Sequence, residues 1–134
     1  MTKTVFIGGG HDCSITLSNA TSLSAGDRVS AFALDRCQIK TGEDSFIQCR
    51  HSCEISVGSS SKIDAGNFSK VTAGIDSSIT VGPCSTVTAG ENSEIRFTWW
   101  LGNELETTIA RIGQNGLLPN TPYQLIEGRI TAVS

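Results

Sequence analysis

The chain has 134 residues, with 10 Lys and Arg against 13 Asp and Glu and a formal net charge of −3. That length suits one domain, and the slightly acidic balance lacks the basic footprint that a nucleic-acid partner requires. No apolar run is long enough for a signal peptide or a membrane span, so no membrane insertion is expected, and the chain is expected to be cytoplasmic or exported without a classical leader.

Taken in chain order, an apolar anchor recurs at every eighth position: Ile7, Ile15, Leu23, Ala31, Ile39, Ile47, Ile55, Ile63, Val71, Ile79, Val87 and Ile95. Two residues before each anchor stands a small or thiol-bearing residue in most copies, from Cys13 and Thr21 to the run Ser61, Ser69, Ser77, Ser85 and Ser93. Two residues after it come Leu17, Ala25, Ala33, Cys49, Val57, Ala65, Ala73, Val81 and Ala89. Residues two apart on a strand share a face, so each octad sends three side chains inward and two outward. One octad cannot bury its inward face alone; stacked copies complete a continuous core.

The glycines set the coil length. Three residues past alternate anchors lie Gly10, Gly26, Gly42, Gly58, Gly74 and Gly90, whereas the other corners carry Ser18, Leu34, Arg50, Gly66, Gly82 and Thr98. A corner that demands glycine once per sixteen residues predicts two strands per coil, with glycine supplying positive φ at that corner. The expected fold is all-β: a β-solenoid over residues 1–98 of about six 16-residue coils, roughly 25 to 30 Å long at ordinary strand spacing.

Four of the five cysteines take inward places in this repeat. Cys13, Cys37 and Cys53 take the inward position before the anchor and Cys49 the one after it, where a thiol packs as a small hydrophobe. Cys37 and Cys53, neighbours on adjacent coils, are close enough for a bridge, but an odd count of 5 cysteines and the absence of a leader favour thiols. Cys49, His51 and Cys53 are too few for a zinc site, so no metal is expected. His11 and His51 lie at turns and the serines belong to the repeat, which leaves no nucleophile beside a base and no catalytic residue; the chain is read as a non-enzyme. Gly8, Gly9 and Gly10 lack the context of a phosphate loop, so no cofactor is expected. Asp12, Asp27, Glu43, Asp44, Asp76 and Glu91 read as a solvated rim.

Beyond Phe97 the period fails. Residues 99–134 are expected to form a β-rich capping segment, with turns at Gly102-Asn103 and Glu127-Gly128 and a loop from Gly113 to Gly116. An open solenoid end exposes its apolar interior, and Trp99, Trp100, Tyr123, Leu117, Leu125 and Ile130 are the residues to cover it.

The octads TAGIDSSITVG and PCSTVTAGENSEI resemble the repeats of bacterial ice-nucleation proteins, whose copies run Ala-Gly-x-x-Ser-Thr-x-Thr. The segment from Arg96 through Tyr123, with its aromatic cluster, A-R-I-G-Q-N-G and P-Y, is similar to the short domain that closes those proteins. The resemblance implies a flat solenoid whose outward threonine rows order water, enlarged by lateral and end-to-end association. This chain departs from that pattern: only Thr86 and Thr88 form the full outward pair, Gln38 and Lys40, Glu54 and Ser56, or Lys62 and Asp64 replace it elsewhere, and the stacked turn tyrosine is absent.

Two functions follow as expectations. The first is a self-assembling structural module whose partner is a second copy of itself. Val5, Phe6 and Ile7 on the uncovered first strand, and Phe32, Leu34 and Phe46 on one outward face, are the candidate contacts of a homodimer or larger homo-oligomer. The second is ice or ordered-water binding through Ser22, Ser24, Ser56, Thr72, Thr86 and Thr88 on the other face. A polysaccharide-binding solenoid is more remote, since paired inward carboxylates and an aromatic ladder are lacking.

Overall fold

The computed structural model describes residues 3–6, 14–17, 19, 21–114, 117–126 and 129–132. Odd-numbered solenoid strands β1 (Lys3–Phe6), β3 (Thr21–Ser24), β5 (Gln38–Lys40), β7 (Glu54–Ser56), β9 (Lys70–Thr72) and β11 (Thr86–Thr88) stack in parallel into one sheet. The even strands β2 (Ser14–Leu17), β4 (Ser30–Ala33), β6 (Phe46–Cys49), β8 (Lys62–Asp64), β10 (Ser78–Val81) and β12 (Glu94–Leu101) stack likewise into the second. Among the described residues no helix is long and apolar enough to cross a membrane. From β2 and β3 onward the solenoid register is sixteen residues: Ile39 pairs with Ile55 and Ile55 with Val71 on one sheet, Ile47 with Ile63 and Ile63 with Ile79 on the other. The first strand departs from it by two residues, Val5 taking the place opposite Leu23 that the octad spacing assigns to Ile7.

This is the expected two-strand β-solenoid, of about five turns and so slightly shorter than six. Strand β12 does not turn back at its corner but runs straight on to Leu101, and the corner residues 7–13 of the first coil lie outside the described residues. Every anchor from Leu23 to Ile95 is buried, and Ile15 on the outermost described coil is half-buried. Each fully buried Leu, Ile or Val among them contributes about 1.5 to 3 kcal/mol relative to exposure. The inward serines form ladders of their own. Ser45, Ser61 and Ser77 each donate a backbone N–H to the hydroxyl sixteen residues on, at 3.2, 3.4 and 3.1 Å, and Ser69 donates to Ser85 Oγ at 3.1 Å. A buried backbone N–H needs an acceptor, and here the repeat supplies a hydroxyl from the next coil.

The corners correct the expectation about glycine. Positive φ falls instead on a non-glycine residue at every eighth position, Arg28, Arg36, Asp44, Ser52, Ser60, Phe68, Asp76, Cys84 and Asn92, with φ between 55° and 62°. Gly42, Gly58, Gly74 and Gly90 are required for closeness. The N–H of each donates to the carbonyl of the glycine one coil before it, at 3.0, 3.0, 3.3 and 3.2 Å. A methyl group on Gly90 would stand 2.7 Å from the nitrogen of Ile75 and 2.8 Å from the carbonyl carbon of Gly74. Backbone presses on backbone there, and only glycine fits.

A second correction concerns the thiols. Cys53 is bonded to Cys49, not to Cys37, with Cα atoms 6.7 Å apart. Cys49 closes β6 and Cys53 precedes β7, so the three-residue corner between them brings two inward positions of successive strands together. Cys37 is a buried thiol and Cys84 an exposed one; Cys13 lies outside the described residues.

At the far end both sheets are extended by antiparallel strands. Strand β13 (Glu104–Arg111) returns along β12, pairing Trp100 with Leu105 and Glu94 with Arg111. Strand β14 (Pro122–Ile126) lies against β11, and β15 (Arg129–Ala132) against β14. The boundary placed after residue 98 therefore falls within β12, which is solenoid strand at its start and hairpin at its end. Tyr123 is buried, with Leu117, Leu125 and Ile130 packed against the core. Trp99 is half-buried and donates from Nε1 to Thr108 Oγ1 at 2.9 Å. Trp100 stands outward, 62% exposed, and covers nothing of the interior.

Candidate functional site

Because outward residues alternate with buried anchors, each sheet presents two columns of side chains per face. On the odd-strand sheet one column runs Ser22, Gln38, Glu54, Lys70, Thr86 and the other Ser24, Lys40, Ser56, Thr72, Thr88. All six hydroxyl residues singled out from the sequence are thus on one face. They are not equivalent. Ser56, Thr72 and Thr88 are successive in register and make an unbroken run over three coils, spaced about 4.8 Å apart as neighbouring parallel strands are. Ser22 and Ser24 are separated from it by Gln38 and Lys40, and Ser22 Oγ donates to Gln38 Oε1 at 3.5 Å. Thr86 is engaged from the cap, accepting from Gln124 Nε2 at 2.8 Å.

On the even-strand sheet Ser30 is in register with Phe46, and Phe32 with Gln48, so the two phenylalanines sit diagonally on adjacent strands. They are 44% and 40% exposed, and Lys62 Nζ stands 5.8 Å from the Phe46 ring centroid, within cation–π range. Leu34 is half-buried at the corner beyond Phe32. A shallow groove beside the pair is lined by Ser14, Thr16, Ser30 and Gln48. Of the first-strand candidates, Val5 and Phe6 lie on β1, the edge strand of its sheet, in register with Leu23 and Ser24. Ile7 lies outside the described residues.

The corners carry polar chemistry that the repeat alone did not disclose. Asn19 Oδ1 accepts the N–H of Asp35 at 2.9 Å, Asp35 Oδ1 that of His51 at 3.2 Å, and His51 Nδ1 that of Asn67 at 3.1 Å. At the glycine corner Asp27 Oδ1 accepts the N–H of Glu43 at 2.9 Å. His51 and two of the turn carboxylates are therefore acceptors for the next coil's backbone. His11 and Asp12 lie outside the described residues. Among the described residues no three of His, Cys, Asp and Glu gather closely enough to hold a metal ion.

The sequence reading also missed the outward face of the terminal hairpin. Trp100, Leu105 and Ile109 are 62%, 56% and 58% exposed, and the alternation within E-L-E-T-T-I-A-R is the signal that marks them. Compared with protein-family models, with curated proteins and with solved structures, the chain matches none.

Proposed function

We propose that the chain is a non-enzymatic structural module that assembles with copies of itself, in the manner of the ice-nucleation-protein repeats it resembles. One observation carries this reading: two large aromatic side chains, Phe32 and Phe46, are exposed side by side on a rigid parallel sheet. Isolated apolar residues are ordinary on a surface, but adjacent aromatics on an unyielding scaffold gain by covering one another. Lys62 beside Phe46 gives the patch a cationic margin. Light scattering on the wild type and on a Phe32→Ser, Phe46→Ser double variant tests it. The expected result is a wild-type mass above one chain at micromolar concentration, reduced in the variant; a wild-type mass equal to one chain refutes the reading.

Ordered-water or ice binding is the second reading, favoured by the run Ser56, Thr72 and Thr88 in strict strand register. Completing the rows with threonine at Gln38, Lys40, Glu54 and Lys70 is expected to raise the droplet freezing temperature or reshape growing ice. No response in either assay removes this reading and leaves the structural one.

A further inference from the structure

Strand β13 is the last strand of the even-strand sheet, and its far side is an edge eight residues long. The direction of its backbone groups is fixed by one bond: Ile112 N donates to Ser93 O at 2.9 Å, toward β12. Backbone groups alternate along a strand, so those of Ala110, Thr108 and Glu106 also point to β12, while those of Leu105, Thr107 and Ile109 point to the outer edge. Among the described residues no hydrogen bond reaches these outer groups. The usual protections of an edge are missing from it: β13 has no proline, and the outward-facing side chains at its centre, Leu105, Thr107 and Ile109, are uncharged.

We infer that β13 pairs antiparallel with β13 of a second copy about a two-fold axis through Thr107, joining two solenoids cap to cap into one continuous sheet. This rests on the reading of the chain as a self-assembling module and names a contact other than the phenylalanine patch. The strand is complementary to itself. With the axis at Thr107, Leu105 stands opposite Ile109 of the second copy, Thr107 opposite Thr107, and Ile109 opposite Leu105, so all the outer N–H and C=O groups of these residues meet partners. Since Trp100 is in register with Leu105 and Arg96 with Ile109, one row across the joined sheet reads Trp100, Leu105, then Ile109 and Arg96 of the second copy, and its symmetry mate reads the same in reverse. The exposed Leu105 and Ile109 of each copy thereby gain a lateral apolar neighbour across the seam. The charges agree with this direction. Glu104 and Glu106 begin the strand and Arg111 ends it, so antiparallel pairing brings acidic ends to basic ends, whereas parallel pairing would stack like on like.

The test uses the full chain with Leu105→Lys, Ile109→Lys in one variant and Leu105→Glu, Ile109→Glu in another, all four substitutions being at exposed positions outside the core. Sedimentation is expected to show that each variant alone loses the wild-type association, shifting its midpoint at least tenfold in concentration, and that an equimolar mixture recovers it. A Thr107→Cys variant in a Cys84→Ser background supplies an independent readout: mild oxidation is expected to link two chains through residue 107. A wild-type oligomer that survives both charge variants and gives no 107 cross-link overturns the β13 contact and leaves self-assembly standing on the phenylalanine patch. A wild type that stays monomeric at every concentration overturns both.

Discussion

His51 Nδ1 accepts the backbone N–H of Asn67, one full coil further along, at 3.1 Å. The same place in the preceding coils is filled by Asn19 and Asp35, whose carbonyl or carboxylate oxygens do the same work. The corner thus demands an acceptor of short reach and tolerates three different side chains. His51→Asn is expected to leave thermal stability unchanged, and His51→Ala to lower it by at most about 1 kcal/mol, because the site is exposed and water can replace part of the bond. Equal losses for Asn and Ala in a denaturant titration would show that the ring packs and does not accept.

Closeness and handedness are separate demands at the corners, and substitutions divide them. Gly90→Ala is expected to destabilise by about 1 to 3 kcal/mol, since its methyl group meets backbone that cannot move without parting the coils. Phe68 sits at φ 58° with 66% of its surface exposed. A side chain in that conformation costs about 1 to 2 kcal/mol, and glycine returns about 0.5 to 1 kcal/mol of that as chain entropy in the unfolded state. Phe68→Gly is therefore expected to raise the melting temperature by a few degrees, as measured by calorimetry. A decrease would mean that the Phe68 ring contributes packing its exposure does not suggest.

Within the serine rows the members are unequal. Ser85 Oγ accepts from Ser69 N and donates to Gly66 O, at 3.1 Å in both cases, whereas Ser69 Oγ is buried without a hydrogen-bond partner. Ser85→Ala is expected to cost about 1 to 3 kcal/mol by orphaning a buried N–H, and Ser69→Ala to be close to neutral. Chemical denaturation of the two variants decides it; the reverse ranking would refute the ladder.

The core prediction is the sharpest in sign. Ile63→Asp and Val71→Asp are expected to prevent folding, because both side chains are fully buried and an unpaired carboxylate there costs several kcal/mol beyond the lost burial. Neighbouring Lys62→Asp and Lys70→Asp, on the exposed side of the same strands, are expected to fold. Circular dichroism distinguishes them. Comparable loss at both pairs would mean that the strands are turned by one residue.

How much of this was legible in the residues follows from the range of the interactions involved. The octad spacing of Ile47, Ile55 and Ile63 and the alternation around each anchor are local patterns, and strand geometry converts them directly into two faces, a sixteen-residue coil and a buried serine row. The placement of Phe32 and Phe46 outside, and of Thr72 and Thr88 on one face, came with the same register. The sequence also announced glycine at alternate corners, but not why. The need arises from contact between Gly90 and Ile75 on successive coils, and positive φ is carried by Phe68 or Asp76, whose types do not announce it. The bridge of Cys53 to Cys49 depended on how tightly one corner turns. The exposure of Trp100, Leu105 and Ile109 depended on a hairpin leaving the repeat, where no stacked neighbour fixes which face is covered. Periodic burial is written along the chain because each strand repeats the same demand; corner contacts, the disulfide partner and the open edge of β13 are decided only when distant segments meet.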